Sequence, residues 1–164
     1  MSESLRNVRF LHVDDNPHAL EIVRAVLRGL DARYVFECQD LAAASHKLLL
    51  EQIDIVLLDI DVGGSSGLVF LRELRSRDNA LAQVPVIILS GHSEERSVVA
   101  ARDAGANEFC KKPLTVASLV GKIAAVINHP RIFIRSEDYT GPDRRRQSQY
   151  GYAGEERRRP IAAR

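Results

Sequence analysis

Hydrophobic and polar residues alternate in a repeating order of strand and helix along the first three quarters of the chain. The third apolar run, residues 53–58, contains four consecutive apolar residues from Ile55 to Leu58. Such a run is typical of a parallel strand that is covered on both faces. The pattern predicts four further strands, at residues 8–13, 34–38, 84–90 and 107–111.

Helical periodicity and capping residues predict five helices between and after these strands. Asn16 and Asp40 stand where an N-cap is expected, and Pro17 follows Asn16 at the first helical position. The predicted helices cover residues 17–29, 41–50, 67–76, 93–105 and 116–128. Strands that alternate with helices in this way predict the α/β class, with a doubly wound, five-stranded parallel sheet.

Charged or hydroxyl-bearing residues stand at the ends of four predicted strands. Asp14 and Asp15 follow the first strand, Asp59 the third, Ser90 the fourth and Lys112 the fifth. Because the carboxyl ends of parallel strands meet at one edge, we expect these side chains to converge. Clustered carboxylates repel one another and favour a hard cation, Mg²⁺ or Mn²⁺. Asp59 is then a candidate nucleophile for a phosphoryl group, with Ser90 and Lys112 as candidate contacts to its oxygens.

Residues 5–128 resemble the receiver domain of two-component response regulators, which has the CheY-like flavodoxin fold. The matching marks are Asp14-Asp15, Asp59, Ser90-Gly91, Phe109 and Lys112-Pro113. The resemblance implies that Asp59 accepts a phosphoryl group from a histidine kinase or phosphotransfer protein, in a signalling protein rather than an enzyme. It implies Mg²⁺ ligation by Asp14 (through water), Asp15, Asp59 and the backbone carbonyl of Asp61. It also makes Ser90 and Phe109 the expected switch pair.

Composition supports a soluble cytoplasmic protein with one ordinary domain and an extension. The chain has 164 residues, of which 45% are hydrophobic and 27% are charged. No run approaches the ~18 apolar residues of a membrane helix, so no membrane partner is expected. Cys38 and Cys110 fit neither a metal spacing nor a disulfide framework. His12, in the first strand, is interpreted as a hydrogen-bonded core histidine because buried polar groups are usually paired.

The extension, residues 129–164, differs from the rest of the chain in its charge and in an internal repeat. It contains nine Arg, five acids and no Lys, for a net charge of +4, whereas residues 1–128 carry −3. A unit of Tyr, Gly, an acid and three Arg begins at Tyr139 and again at Tyr152. Residues 131–135 alternate between polar and apolar and are interpreted as one short extended segment, whereas the repeat beyond them has too few apolar residues for a core and is expected to be disordered until a ligand orders it.

Arginine stacks on bases and pairs bidentately with guanine or phosphate, and tyrosine adds a second stacking face. A duplicated unit suits a ligand that presents guanine and phosphate twice, as cyclic di-GMP does. The tail also resembles the arginine-rich C-terminal stretch of the Cle family, CheY-like effectors of cyclic di-GMP linked to flagellar motor control. The candidate ligand residues are Arg135, Asp138, Tyr139, Asp143, Arg144, Arg145, Arg146, Tyr152, Arg157, Arg158 and Arg159.

One element of that set, the spacing Arg-x-x-Asp at Arg135 to Asp138, is found in other cyclic di-GMP sites. The same spacing occurs at Arg28 and Asp31 and at Arg75 and Asp78, so on its own it does not identify a cyclic di-GMP site. Three hypotheses therefore remain. The chain is a two-input adaptor that docks on a protein partner such as the flagellar motor, a receiver whose tail binds nucleic acid, or a phosphoryl shuttle with an inert tail. The interspersed acids make nucleic acid the less favoured partner.

Overall fold

The structure, a computed structural model, describes residues 5–92 and 94–145. Its strands are β1 Arg9–Val13, β2 Tyr34–Cys38, β3 Ile55–Asp59, β4 Asp61–Val62, β5 Ser65–Ser66, β6 Val86–Ser90, β7 Glu108–Lys111, β8 Phe133–Arg135 and β9 Thr140–Pro142. Its α-helices are α1 Pro17–Gly29, α2 Leu41–Leu50, α3 Gly67–Arg75, α4 Glu95–Asp103 and α5 Val116–Asn128. Two 3₁₀ turns, Leu5–Asn7 and Ala80–Gln83, complete the described elements.

Five parallel strands form one sheet in the order β2-β1-β3-β6-β7, which confirms the predicted fold class. β3 lies at the centre, paired with β1 and β6, and its residues from Ile55 to Leu58 are fully enclosed. Side chains alternate between two apolar clusters, one on each face of the sheet. Leu58 belongs to one cluster and Leu57 to the other. The continuous apolar run therefore reflects a strand that has no solvated face.

The predicted helix starts are confirmed where the structure describes them. The side chain of Asn16 accepts from the backbone N–H of His18, and Asp40 accepts from Ala43. Thr115 forms a reciprocal capping box at the start of α5. The predicted third and fourth helices end one and two residues beyond the observed ends, and Ser93, the predicted start of the fourth, lies outside the described residues.

The described part of the tail departs from the sequence prediction, because it contains two paired strands. β8 and β9 form an antiparallel hairpin in which Ile134 pairs with Gly141. The hairpin packs against the ends of α3 and α4, at the amino-terminal edge of the sheet, and buries Gly141 and Pro142. The extended segment expected at residues 131–135 thus contains β8, whereas the expectation of disorder is wrong for the described part of the repeat, residues 139–145. The hairpin needs no core of its own because it covers part of the receiver.

Two glycines permit the close approach between the hairpin and the receiver. Gly105, which follows α4, has a φ of +98°, a backbone conformation that favours glycine. A Cβ at Gly141 would lie 2.8 Å from the Cα of Gly105, and a Cβ at Gly105 would lie 3.0 Å from the carbonyl oxygen of Thr140. The two backbones are thus in direct contact, and neither position has room for a side chain.

Arg75, the last residue of α3, joins the loops under the hairpin. Its side chain is buried and donates to the carbonyl oxygens of Gly105 at 2.9 Å and of Ala82 and Val84 at 2.8 Å. Burial lowers the pKa of its guanidinium to about 10, which leaves it charged at neutral pH. The ring of Phe133 in β8 lies 5.6 Å from its Cζ. Arg75 therefore connects these loops, and this structural role accounts for the arginine of the Arg-x-x-Asp spacing there.

Several predicted ligand residues lie outside the described part of the chain: Arg146, Tyr152, Arg157, Arg158 and Arg159. Among residues 5–92 and 94–145, no helix combines the length and apolar character needed to cross a membrane.

Candidate functional site

The predicted acidic site is assembled at the carboxyl-terminal edge of the sheet. The ammonium of Lys112 lies between two carboxylates, donating to Oδ2 of Asp14 at 2.7 Å and also to Oδ2 of Asp59. Asp14 is buried and Asp59 is partly buried, so this interaction is shielded from solvent on one side. Lys112 is itself placed by its backbone N–H, which donates to the carbonyl of Ser90 at 2.7 Å, and it precedes a cis peptide bond to Pro113.

Three of the four predicted metal ligands form one cluster. Carboxylate oxygens of Asp14, Asp15 and Asp59 lie within 4.8 Å of one another, with Asp15 exposed to solvent. Oxygen donors at this density suit a hard divalent cation, so the residues fit the Mg²⁺ expected from the sequence. Asp61 contributes differently. Its backbone N–H donates to Asp59 at 3.2 Å, while its carboxylate accepts from Gly64 at 3.0 Å. Ligation through its backbone carbonyl stays a prediction.

Ser90 and Phe109, the predicted switch pair, lie at and near the same edge. The hydroxyl of Ser90 is fully buried, donates to the carbonyl of His92 at 3.2 Å and accepts from its N–H at 3.0 Å. Phe109, in the neighbouring strand β7, is partly buried against the core cluster that contains Leu58. The hydroxyl of Ser90 is thus engaged with the backbone two residues further along the chain.

Opposing electrostatic effects set the charges of the site. Burial acts to raise the pKa of Asp14, but the hydrogen bonds from Lys112 and from the N–H of Asn16 hold that pKa below its usual value. Burial raises the pKa of Asp59 despite the same lysine, and the charge of Asp14 adds to the rise. Burial acts to lower the pKa of Lys112, but the two carboxylates raise it overall. The lysine therefore stays cationic and holds two negative groups together.

Glycines shape the loop after Asp59. A Cβ at Gly67, the first residue of α3, would overlap the carbonyl oxygen of Asp59, so the helix begins directly against the candidate nucleophile. Gly63 and Gly64 have φ values of +60° and +81° and turn the chain between β4 and β5. The sequence shows these glycines, but not the contact with Asp59, which depends on the three-dimensional fold.

His12 is buried in β1 as predicted, but the expectation that it is hydrogen-bonded is wrong. Neither ring nitrogen has a hydrogen-bond partner among the described residues, and Nε2 lies 3.9 Å from Oδ2 of Asp14. Burial lowers the pKa of His12 to about 4; the charge of Asp14 opposes the shift and that of Lys112 adds to it. His12 is therefore neutral at pH 7, next to the acidic cluster.

The described arginines of the tail are engaged within the chain. Arg144 stacks on the ring of Tyr139 at 3.8 Å and pairs with Asp103 at the end of α4 at 3.4 Å. Arg135 pairs with Asp78 rather than with Asp138, and it donates to the carbonyl of Arg77 at 2.8 Å.

Two further candidate ligand residues lie beside them. Asp143 accepts from the backbone N–H of Arg145 at 2.9 Å. Arg145 and Asp138 are exposed, and Arg145 approaches the same carboxylate of Asp143 at 3.8 Å. The described part of the tail thus brings Tyr139, Asp143, Arg144 and Arg145 to one end of the hairpin, but it does not pair Arg135 with Asp138.

Comparison with known families agrees with this geometry. A model described as "Response regulator receiver domain" matches residues 10–124. The chain belongs to the response regulator receiver family. It is thus the receiver domain of a two-component response regulator, a class of signalling protein.

Curated relatives extend beyond the matched region. The KDP operon transcriptional regulatory protein KdpE of Escherichia coli (strain K12) is 31% identical over 133 residues, 81% of this chain and 54% of that protein. The transcriptional regulatory protein AruR of Pseudomonas aeruginosa is 31% identical over 149 residues, 87% of this chain and 57% of that protein. The chain therefore spans about half the length of these relatives.

Solved structures share the fold. The chemotaxis protein CheY4 of Vibrio cholerae superposes with a TM-score of 0.67 at 19% identity, covering 73% of this chain and 98% of that one. The receiver domain of the sensor histidine kinase PA1611 of Pseudomonas aeruginosa has a TM-score of 0.66 at 27% identity, with 74% and 98% covered. In that structure a magnesium ion is coordinated in the active-site cleft.

Proposed function

We propose that Asp59 accepts a phosphoryl group from a histidine kinase or phosphotransfer protein, in the cytoplasm. The observation that carries this proposal is the placement of Lys112 between Asp14 and Asp59 beside a buried serine hydroxyl. Mg²⁺ held by Asp14, Asp15, Asp59 and the carbonyl of Asp61 would neutralise phosphoryl charge.

A carboxylate oxygen of Asp59 attacks the phosphorus, and the bond from phosphorus to the donor imidazole nitrogen breaks. Lys112 then exchanges its contact with the carboxylate for one with a phosphoryl oxygen. Ser90 leaves the backbone of His92 and donates its hydroxyl to another phosphoryl oxygen. Phe109, on the adjacent strand, fills the space that the serine vacates.

Phosphorylation can be tested with a small donor such as acetyl phosphate, with Mg²⁺ present, by intact mass measurement. We expect one added phosphoryl group on the wild type and none on Asp59→Asn. Asp54→Asn is the matched control, since Asp54 is an exposed acid just before the same strand and should leave the reaction unchanged. Phosphorylation of Asp59→Asn at the wild-type level would contradict the proposal.

We further infer that the arginine-rich tail binds cyclic di-GMP and that the protein docks on a partner, for which the Cle resemblance suggests the flagellar motor. The repeat of Tyr, Gly, acid and three Arg supports a ligand with two guanines and two phosphates. The stacking of Arg144 on Tyr139 provides an aromatic and cationic surface that is still partly exposed. A groove of about 450 Å³ beside Phe109 and Lys112, between α4 and α5, offers a docking surface close to the switch residues.

Isothermal titration with cyclic di-GMP decides between this function and its alternatives. We expect saturable binding that is lost when Arg144, Arg145 and Arg146 are all changed to Ala. Arg28→Ala is the control, because Arg28 is exposed on α1, remote in sequence from the tail. Absence of binding would contradict the effector role. Binding of DNA with a steep salt dependence would favour a nucleic-acid partner instead.

A specific observation favours a second candidate, the phosphoryl shuttle with a tail that is purely structural. Arg135 and Arg144 are both paired with acids of the receiver, and the hairpin covers Arg75. In that case Asp59 is phosphorylated as above, cyclic di-GMP does not bind, and deletion of residues 131–164 lowers stability without changing phosphoryl transfer.

A further inference from the structure

A cavity of about 370 Å³ lies between the hairpin and the segment that connects α3 to β6. Its volume falls within the range of roughly 300–1,000 Å³ that is usual for small-molecule sites. Phe133 and Arg135 line it from β8, and Arg77, Asp78 and Gln83 line it from the receiver. The cavity therefore exists only because the tail folds back onto the domain.

The wall of the cavity carries groups that complement two edges of guanine. The guanidinium of Arg135 can donate bidentately to O6 and N7. The carboxylate of Asp78 can accept from the N1–H and the N2 amino group. Adenine offers an amino donor in place of O6 and lacks both the N1–H and the N2 amino group, so it cannot accept two bonds from Arg135 or donate two to Asp78. The ring of Phe133 adds a stacking surface.

The framework of this cavity is fixed before any ligand arrives. Arg75 ties the loop carbonyls of Ala82 and Val84 to that of Gly105, and its guanidinium lies beside the Phe133 ring. A preformed site loses less conformational entropy on binding than a flexible one.

The polar groups, by contrast, are exposed, and to bind a base Arg135 would release both Asp78 and the carbonyl of Arg77, to which it donates at 2.8 Å. The side chain of Asp78 is 89% exposed and that of Arg135 is 50% exposed, so their mutual ion pair is solvated. Exposed ion pairs contribute little to stability and are easily opened. A base can therefore separate the two side chains and take both as partners.

We propose that this cavity binds the base of a guanine nucleotide, with Arg135 and Asp78 reading its two edges and Phe133 stacking on it. The inference rests on the proposed cyclic di-GMP function and assigns one guanine of that ligand to the receiver itself. The arginine run that begins at Arg144 then holds the remaining parts of the ligand.

The test is the affinity of Asp78→Ala for cyclic di-GMP and for cyclic di-AMP, measured by isothermal titration on the full chain. We expect the affinity for cyclic di-GMP to fall by about fivefold or more, with little change for cyclic di-AMP, since one good bidentate base contact is worth about 1–3 kcal/mol of discrimination. Asp103→Ala is the matched control. It removes the acid that pairs with Arg144 but lies outside the cavity, so it should not lower the affinity.

An increase in affinity on Asp78→Ala would overturn the inference. If Asp78 only competes with the ligand for Arg135, its removal will raise the affinity for both dinucleotides. If cyclic di-GMP binds, depends on Arg144 to Arg146 and is indifferent to Asp78→Ala, the cavity is not the base site and the effector role still stands. If the wild type binds neither cyclic di-GMP nor GMP, both proposals fail. Hydrogen exchange provides a second readout, because a base in the cavity should protect residues 77–83.

Discussion

Replacing His12 with Leu should remove a large part of the acid sensitivity of the fold. The imidazole is enclosed in β1, and neither nitrogen has a hydrogen-bond partner among the described residues. Its pKa is lowered from 6.5 to about 4, mainly by burial, so the folded protein resists protonation there while the unfolded chain accepts a proton. The contribution of neutral His12 to the free energy of unfolding is fully present above pH 6.5 and is lost as the pH falls toward 4.

The size of the effect follows from the shift. Because burial lowers the pKa of His12 from 6.5 to about 4, protonation costs the folded state about 3 kcal/mol once the pH is below both values. Between pH 7 and pH 5 the same linkage gives a loss of about 2 kcal/mol in the free energy of unfolding. Leu has a similar volume and does not titrate, so the His12→Leu variant should lack this loss.

Urea denaturation followed by circular dichroism, at pH 7, 6 and 5 with a chelator present, measures the difference. The wild type should lose about 2 kcal/mol more than His12→Leu over this interval. His46→Leu serves as the control, since His46 is exposed on α2 and its replacement should preserve the wild-type dependence. Equal losses in the wild type and His12→Leu would refute the assignment of acid sensitivity to this histidine.

Three further substitutions probe the fold by thermal or urea unfolding. Arg75→Met should cost about 3 kcal/mol or more, because three carbonyls lose their donor, whereas Arg72→Met on the exposed face of the same helix should cost little. Gly141→Ala should loosen the hairpin by about 1–3 kcal/mol, seen as faster amide exchange, while Gly121→Ala, which meets no neighbour in α5, should stabilise by about 0.5–1 kcal/mol. Thr115→Ala should cost about 1 kcal/mol through loss of the capping box. An unchanged unfolding midpoint for Arg75→Met or Thr115→Ala, or unchanged exchange for Gly141→Ala, would contradict the corresponding contact.

The sheet and the acidic edge were predictable because their signals are local. A run of consecutive apolar residues such as Ile55 to Leu58 indicates by itself that the strand is buried. Caps such as Asn16 and Asp40 mark the starts of helices through short-range hydrogen bonds. If the strands are assumed to be parallel, their carboxyl ends place Asp59 and Lys112 at the same edge of the sheet. The convergence of these residues follows from topology alone.

The pairing of β8 with β9 was missed because the partners of the hairpin are distant in sequence. Its polar composition argues for disorder, whereas its contacts with Arg75, Gly105, Asp78 and Asp103 of the receiver hold it in place. One signal was present in the sequence. Arg75 stands four residues after Leu71 and one after Leu74, on the face that α3 buries, where a charged side chain requires partners. The hydrogen bonds of His12 were overestimated for a related reason, since a general rule about buried polar groups does not describe each site.

The position of the hairpin has a consequence for how two signals could meet in this protein. Asp59 and the cavity proposed to bind guanine lie at opposite ends of the sheet, separated by the length of a strand, about 17 Å. Solvent ions screen surface charges over about 8 Å, so a phosphoryl group on Asp59 would exert little direct field on a nucleotide at the other end. Coupling between the two proposed sites would then have to be mechanical, and α3 connects them. This helix starts against the carbonyl of Asp59 and ends at Arg75, so a tilt of the helix at one end would displace the residues at the other end.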